Sequence, residues 1–485
     1  MVACTVWAGV FASVVAALVM LGSAGEAPAR TPLPPGPAPA ALDLGAEIAS
    51  FYRERRFEPL WVSGSALRPE AAQLMRMLGP AAPSDLKQAM EHARTGDPHR
   101  LTRADLLLSR AYADYVRAHH RPPAAGRMRY IDPGLGPAVQ SRRSILEAAA
   151  ASPDLGAHLE AVERINPAYD GLKRGLAAYR ARWSRLPQAR LAPRPTEAAL
   201  RDRLGGIPLR EFQAAHSLPP TGRPDAATIR ALNRGARHYE RLIEANMERA
   251  RAIPAHPGGR YILVDSASAR LWMVDDGIIR DSMRVVVGKR SMPTPLMAGM
   301  IRYAVLNPYW HLPPDLIRER ARKGARAIAA ERLQVLSGWD DDARILDPRR
   351  VDWRAVAAGR RLVNLRQTPG AHNMMGRIKF MMPNDLGVYL HDTPHRDLLR
   401  RDDRHLSSGC VRLEDAQRLA RWLFRGRVPR PSGAAEQEVD LPEPVPVYIA
   451  YFTALPTRGG VVFQADAYGR DRAPTRTPAR RTRRT

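Results

Sequence analysis

Apolar positions recur at helical spacing from about Leu42 to Asp154, where Phe51, Tyr52, Phe57, Leu60 and Trp61 gather bulk. Within this stretch Thr102-Arg103-Ala104-Asp105 predicts a capping box that opens a helix over Leu106 to Val116. The pattern stays helical and Arg-rich over 155–195 and ends among Pro187, Pro193 and Pro195, which read as boundary signals. Residues 197–233 predict helix, turn, helix, Pro/Gly turn, helix, with Asp225 placed to cap the last one. At Gly259 the period changes to that of strands. Tyr261 to Asp265, Ala269 to Val274 and Met283 to Val287, with an Asp275-Asp276-Gly277 turn, predict consecutive antiparallel strands, and Arg302–Leu306, Ile378–Met382, Val388–His391 and Val447–Thr453 predict more. Between Trp310 and Val363 a helical, Arg-rich stretch interrupts the strands, an insertion of the kind that forms an active-site lid or binding loop. The chain therefore reads as α+β and multidomain.

Composition narrows the function. The 485 residues suffice for about three domains, and Lys plus Arg is 75 against 49 acids, a formal charge of +26. Only Lys87, Lys173, Lys289, Lys323 and Lys379 are lysines, so the excess is almost all arginine. Such a surface favours anionic partners without choosing among them. Val6 to Leu21 carries no charge and is followed by Gly22-Ser23-Ala24, the pattern of a secretory signal or an N-terminal anchor. Export to the periplasm or cell envelope would remove the protein from nucleic acid. Residues 28–39 hold six prolines and predict an extended tether, and the seven arginines after position 469 predict a solvated tail.

Two cysteines, Cys4 and Cys410, exclude a disulfide scaffold and a Cys-rich metal site. If Cys4 leaves with the signal, Cys410 is the one thiol of an exported chain, either a buried small hydrophobe or a nucleophile. Its flank, Ser407-Ser408-Gly409 and Arg412, is polar, which argues against simple burial. A helix predicted over Leu413 to Phe424 would place Cys410 just before a helix N-terminus, where the dipole favours thiolate. His391 ends a strand nineteen residues earlier and is a candidate base, with His311, His372, His395 and His405 as alternatives. The amides near Gly409 and Cys410 are candidates for an oxyanion hole.

The run His391-Asp392-Thr393 … Ser407-Ser408-Gly409-Cys410-Val411-Arg412 resembles the active-site motif of the L,D-transpeptidases. Arg260–Val264, Met283–Lys289, Pro293–Pro295, Asn307–Trp310 and Gly376–Phe380 extend the likeness to that family's large Gram-negative branch. The resemblance implies a β-sandwich catalytic domain over 259–456 with a helical lid at about 311–363. It also implies an α-helical scaffold domain over 42–183 and a three-helix peptidoglycan-binding-like domain over 184–235. A signal at 1–24, a Pro-rich linker at 25–41, a connecting helix at 236–258 and an extension at 457–485 complete the order. It implies Cys410 as nucleophile and His391 as base, with Gly409, Asp392 and Tyr389 organising the site and Arg412 and Ser408 meeting substrate. Ser408 stands where much of the family has His. The implied reaction is 3→3 cross-linking of peptidoglycan stem peptides through a Cys thioester with release of D-Ala, needing no metal or other cofactor, and open to carbapenem inhibition. An L,D-carboxypeptidase or cross-link hydrolase on the same route, and a non-catalytic envelope protein binding glycan through 197–233, remain alternatives.

Overall fold

The computed structural model describes residues 44–123, 128–254, 259–340 and 342–471. The predicted signal, the Pro-rich linker and nearly all of the Arg-rich tail lie outside them. No described helix is long and apolar enough to cross a membrane.

Among the described residues, seven α-helices build the first region, from Ala46–Glu54 to Pro167–Arg182. The longest, Pro98–His119, starts eight residues before the predicted Leu106, with Asp97 as its cap accepting from the Arg100 amide at 2.9 Å. The Thr102-Asp105 motif is therefore not a capping box. Thr102 bonds the Pro98 carbonyl inside the helix, and Asp105 is buried. A Pro at the first helical position with Asp before it is the stronger start signal, because Pro fixes a helical φ and sacrifices an N–H that has no partner there.

Three short helices follow, Glu197–Leu204, Leu209–Ala215 and Ala226–Arg234. Asp225 caps the last through the Thr228 amide at 2.7 Å. Buried Gln213 ties their turns together, donating to Arg223 O and Thr228 Oγ1 and accepting from the Gly222 amide. This unit shares one apolar core with the helices Pro167–Arg182 and Ala236–Ala250, the hairpin Ala454–Thr457 and Gly460–Phe463, and one face of the main sheet.

The main sheet is mixed. Arg260–Asp265, Arg270–Asp275 and Ile278–Gly288 are consecutive and antiparallel as predicted, with positive φ at Asp276 and Gly277 in the tight turn. Gln437–Ala450, however, runs parallel to Arg260–Asp265, and Leu390–His391 runs parallel to Val411–Leu413. The long strand Met297–Leu306 bonds both Gln437–Ala450 and Ile378–Met381, so the ladder closes on itself around Val264, Leu271, Val285, Phe380 and Leu390. The expected sandwich is thus a single ladder curled around its core. Arg260–Asp265 feeds both cores, Ile262 and Val264 inward and Tyr261 and Leu263 outward, which is why it reads as an apolar run rather than a clean alternation.

The insertion is not purely helical. Trp310–His311, Leu333–Leu336, Ile345–Leu346 and Asn364–Gln367 pair as a small antiparallel sheet, packed by Pro314–Ala321, Ala325–Ala330 and Trp353–Ala357 around Trp310, Ile328, Val335 and Leu365. Strands of two to four residues are too short to show a period, so only their mutual pairing reveals them.

Candidate active site

The strands Leu390–His391 and Val411–Leu413 lie side by side, Leu390 opposite Val411 and His391 opposite Arg412. The Val411 amide donates to Tyr389 O at 3.1 Å, extending the register one step back so that Tyr389 stands beside Cys410. Side chains alternate across a sheet. Leu390, Val411 and Leu413 therefore enter the core, while Tyr389, His391, Cys410 and Arg412 share the opposite face. Lys379 continues the row as the ladder partner of His391 on its other side. Parallel pairing thus brings together residues nineteen positions apart.

The turn before Cys410 is held from three directions. Ser407 Oγ donates to Cys410 O at 2.6 Å and accepts from the Gly409 amide at 3.2 Å. Thr294 Oγ1 donates to Gly409 O at 2.8 Å and accepts from the Gly288 amide at 2.8 Å. The Lys289 amide donates to Ser407 O at 2.8 Å. Gly409 has φ +117, a conformation L side chains rarely adopt, so glycine is required there.

Two sequence expectations change. The Gly409 N–H is already taken by Ser407 Oγ and is not a free oxyanion donor. The helix that follows Cys410 runs Ala416–Leu423, capped by Asp415, with the strand Val411–Leu413 between them. The apolar residue at 413 faces the sheet core rather than a helix stripe. No helix dipole acts on the thiol. Burial raises its pKa, opposed by hydrogen bonding from Tyr389 and by the positive charge of Arg412.

His391 is buried, and its Nδ1 donates to Asp392 O at 2.6 Å. A carbonyl only accepts, so Nδ1 carries the proton and Nε2 is left as the basic nitrogen. Burial, reinforced by Arg412, lowers the imidazole to about 3, so it is neutral at ordinary pH. No hydrogen bond joins it to the thiol; Cys410 Sγ donates to Gly387 O at 3.4 Å. The Asp392 carboxylate is engaged elsewhere, accepting from the Arg377 amide at 2.9 Å and from Arg396 at 2.5 Å. Gly376 has φ +63, and a Cβ there would stand 2.3 Å from Asp392 Oδ2. Burial pushes the Tyr389 phenol far up, so its hydroxyl is a donor toward Cys410. Arg412 Nε is buried without a hydrogen-bond partner, and among the described residues no carboxylate pairs with the guanidinium. Ser408 is exposed at the rim.

Thr294 and Ser407 lie inside the quoted motifs without a role assigned from the sequence, and Glu436 lies in none of them. Glu436 accepts from Lys379 Nζ at 3.0 Å and follows a Pro/Gly/Ala stretch that carries no motif. Of the alternative histidines, His405 bonds Asp403 and Ser266 O, while His311 lies on the insertion against Trp339, ring centroids 4.7 Å apart. A cavity of about 1040 Å³ lies away from this face, between the three-helix unit, the Ala454–Phe463 hairpin and the sheet, and neither Cys410 nor His391 lines it.

Residues 259–447 match the family model of the L,D-transpeptidase catalytic domain, and residues 46–176 match that of the Scaffold domain. A curated Haemophilus influenzae protein named "Putative L,D-transpeptidase" is 33% identical over 241 residues, which is 47% of this chain and 48% of that protein. The chain thus spans about half the length of the curated relative it matches. Among solved structures, L,D-transpeptidase 3 from Mycobacterium tuberculosis in complex with a faropenem-derived adduct is 13% identical over 40% of this chain and 60% of that one, with a TM-score of 0.21. The catalytic domain of the E. faecium L,D-transpeptidase is 16% identical over 39% of this chain and 95% of that one, with a TM-score of 0.18.

Proposed function

We propose, from the premise that the chain belongs to the L,D-transpeptidase family through its catalytic domain at 259–447, that it cross-links peptidoglycan stem peptides 3→3 in the cell envelope. The observation that supports this reading is the single sheet face holding Tyr389, His391, Cys410 and Arg412, with a neutral imidazole on the same face as a thiol and a part-buried guanidinium that meets no carboxylate among the described residues.

In the first step the Cys410 proton passes to His391 Nε2 as sulfur attacks the carbonyl that joins the third stem residue to a terminal D-Ala. The C–S bond forms, the C–N bond breaks, and the proton leaves with the D-Ala amine. Tyr389 donates to the sulfur while it carries charge. Arg412, unpaired and cationic, suits the free carboxylate of the departing D-Ala, and placing that charge there offsets the cost of keeping a guanidinium buried. A side-chain amine of a second stem then attacks the thioester and regenerates the thiol. The inserted subdomain, against whose core Tyr389 packs, acts as a lid that limits water at the thioester and favours the amine. The three-helix unit is a fixed part of the scaffold that can meet glycan at its outer surface.

Intact-mass analysis of the protein with a disaccharide-tetrapeptide, and separately with a carbapenem, tests the reading. The wild type is expected to form both adducts and to release D-Ala with a cross-linked dimer, and Cys410→Ala to form neither. Tripeptide without dimer would make the protein a carboxypeptidase. A folded wild type that forms no adduct would leave a non-catalytic binding protein.

A further inference from the structure

Glu436 stands immediately before the strand Gln437–Ala450 with φ +52, and its amide donates at 2.9 Å to Asn307 O, whose own φ is +48. A non-glycine residue in the left-handed region is strained, and glycine would hold this bend without that strain. The side chain therefore repays a strained backbone. One carboxylate oxygen accepts from Lys379 Nζ at 3.0 Å, and the other has no hydrogen-bond partner among the described residues. Lys379 is the ladder partner of His391, so the pair lies beside the base.

The charges around this point are mostly positive. Lys379 and Arg412 flank His391 on the catalytic face, and Arg366 lies over the Tyr309 ring at 4.1 Å on the insertion side. Of the other carboxylates, Asp392 is committed to Arg396 and the Arg377 amide, Glu414 to Arg284 and Asp385 to Arg129, while exposed Glu438 shares the ladder row of Val305 and Lys379 but stands one strand further from His391. Glu436 is held by one partner and half open. Its charge reaches both Tyr389, beside the thiol, and His311, whose strand pairs with that of Arg366 on the insertion. It therefore lies between the catalytic face and the insertion, where His311 and half-exposed Trp339 form an aromatic wall.

An acceptor for the thioester arrives as an ammonium, since an alkyl amine titrates near pH 10. Lys379 and Arg412 repel it. We propose that Glu436, oriented by Lys379, binds the side-chain ammonium of the acceptor stem and thereby decides the outcome of the acyl-enzyme, cross-link over hydrolysis. The inference rests on the thioester reading above. In the step it serves, the bound ammonium first loses one proton to solvent, the neutral nitrogen forms a C–N bond to the acyl carbon while a second proton passes to His391 Nε2, the C–S bond breaks, and that second proton passes from His391 to Cys410 Sγ. Glu436 binds the ammonium before this transfer and takes no proton.

The test uses the full chain as wild type, Glu436→Gln and Glu436→Asp. Three readouts are followed: adduct formation with a carbapenem, the ratio of dimer to tripeptide from a disaccharide-tetrapeptide, and the KM for a diamino-acid acceptor. Glu436→Gln keeps an oxygen for Lys379 and removes the charge. It is expected to form the carbapenem adduct at about the wild-type rate, to raise the acceptor KM about tenfold or more, and to shift product toward tripeptide. Glu436→Asp keeps the charge and is expected to recover part of the dimer, which a purely structural role would not produce. Adduct formation with an unchanged dimer ratio and acceptor KM in Glu436→Gln overturns the inference and leaves the thioester reading standing. Failure of the wild type to form an adduct overturns both.

Discussion

Asp105 in the first region and His391 in the catalytic domain are both buried ionisable groups, and their surroundings differ in one respect. The Asp105 carboxylate receives the Leu60 and Trp61 amides and the Tyr52 hydroxyl, while Ser109 links Tyr52 to the Trp61 indole. Each polar atom there meets another, and no ligand is wanted. On the face that holds Cys410, His391 Nε2 has no hydrogen bond among the described residues, and Arg412 Nε is buried without a partner, an omission that burial makes costly. A satisfied buried network specifies a fold; an unpartnered one beside a thiol leaves hydrogen-bonding capacity open. Burial alone would not separate them, since it displaces both groups from their ordinary pKa, Asp105 upward to about 6 and His391 downward to about 3.

The comparison breaks most sharply at His391. His391→Ala is expected to slow acylation by roughly 10²- to 10⁴-fold, the usual range for losing a general base, with little change in unfolding midpoint. Stopped-flow or mass-resolved acylation rates, read beside thermal melts, check it. A variant that instead unfolds while acylating normally would put His391 in the same class as Asp105.

The reverse is expected of Asp105→Ala. Two backbone amides and a phenol would lose their acceptor in a dry core, at a cost of about 3 kcal/mol, while folded protein should still acylate at the wild-type rate. Denaturant unfolding and the acylation rate of the folded fraction separate the two effects.

A smaller and sharper effect is the pH profile. With the imidazole lowered to about 3 and the thiol raised by burial, both groups stay neutral between pH 5 and 8. If His391 takes the proton during attack, acylation is flat across that window, because the reactive protonation state does not change. His391→Ala removes the base, so only preformed thiolate reacts and its residual rate should rise about tenfold per pH unit. A tenfold-per-unit rise in the wild type would mean that His391 takes no part.

Much of the site is written in local sequence. The His391 and Cys410 motifs and the Asp225 cap depend on residues within a few positions of one another, where backbone geometry and short side-chain bonds decide the outcome, whereas the Gly409 turn is also held by Thr294, 115 positions away. The errors fell where a longer-range partner intervened. Leu413 looks like the first residue of an amphipathic helix, but its backbone is claimed by the ladder to Val285. Thr102 and Asp105 have the spacing of a cap, but Asp105 is pulled inward by Leu60 and Trp61, 45 and 44 positions away. Glu436 had no local signal, because what marks it is a bend and a lysine 57 residues earlier.

By itself, the sequence pointed to an L,D-transpeptidase catalytic domain and to roughly where helices yield to strands, because residue type and periodicity are local properties. Only the tertiary structure decided that Leu390–His391 and Val411–Leu413 pair in parallel with Tyr389 beside Cys410 and His391 beside Arg412. It also decided which buried polar atoms found partners. Register and hydrogen-bond satisfaction depend on which distant segments share a core, and no local pattern encodes that.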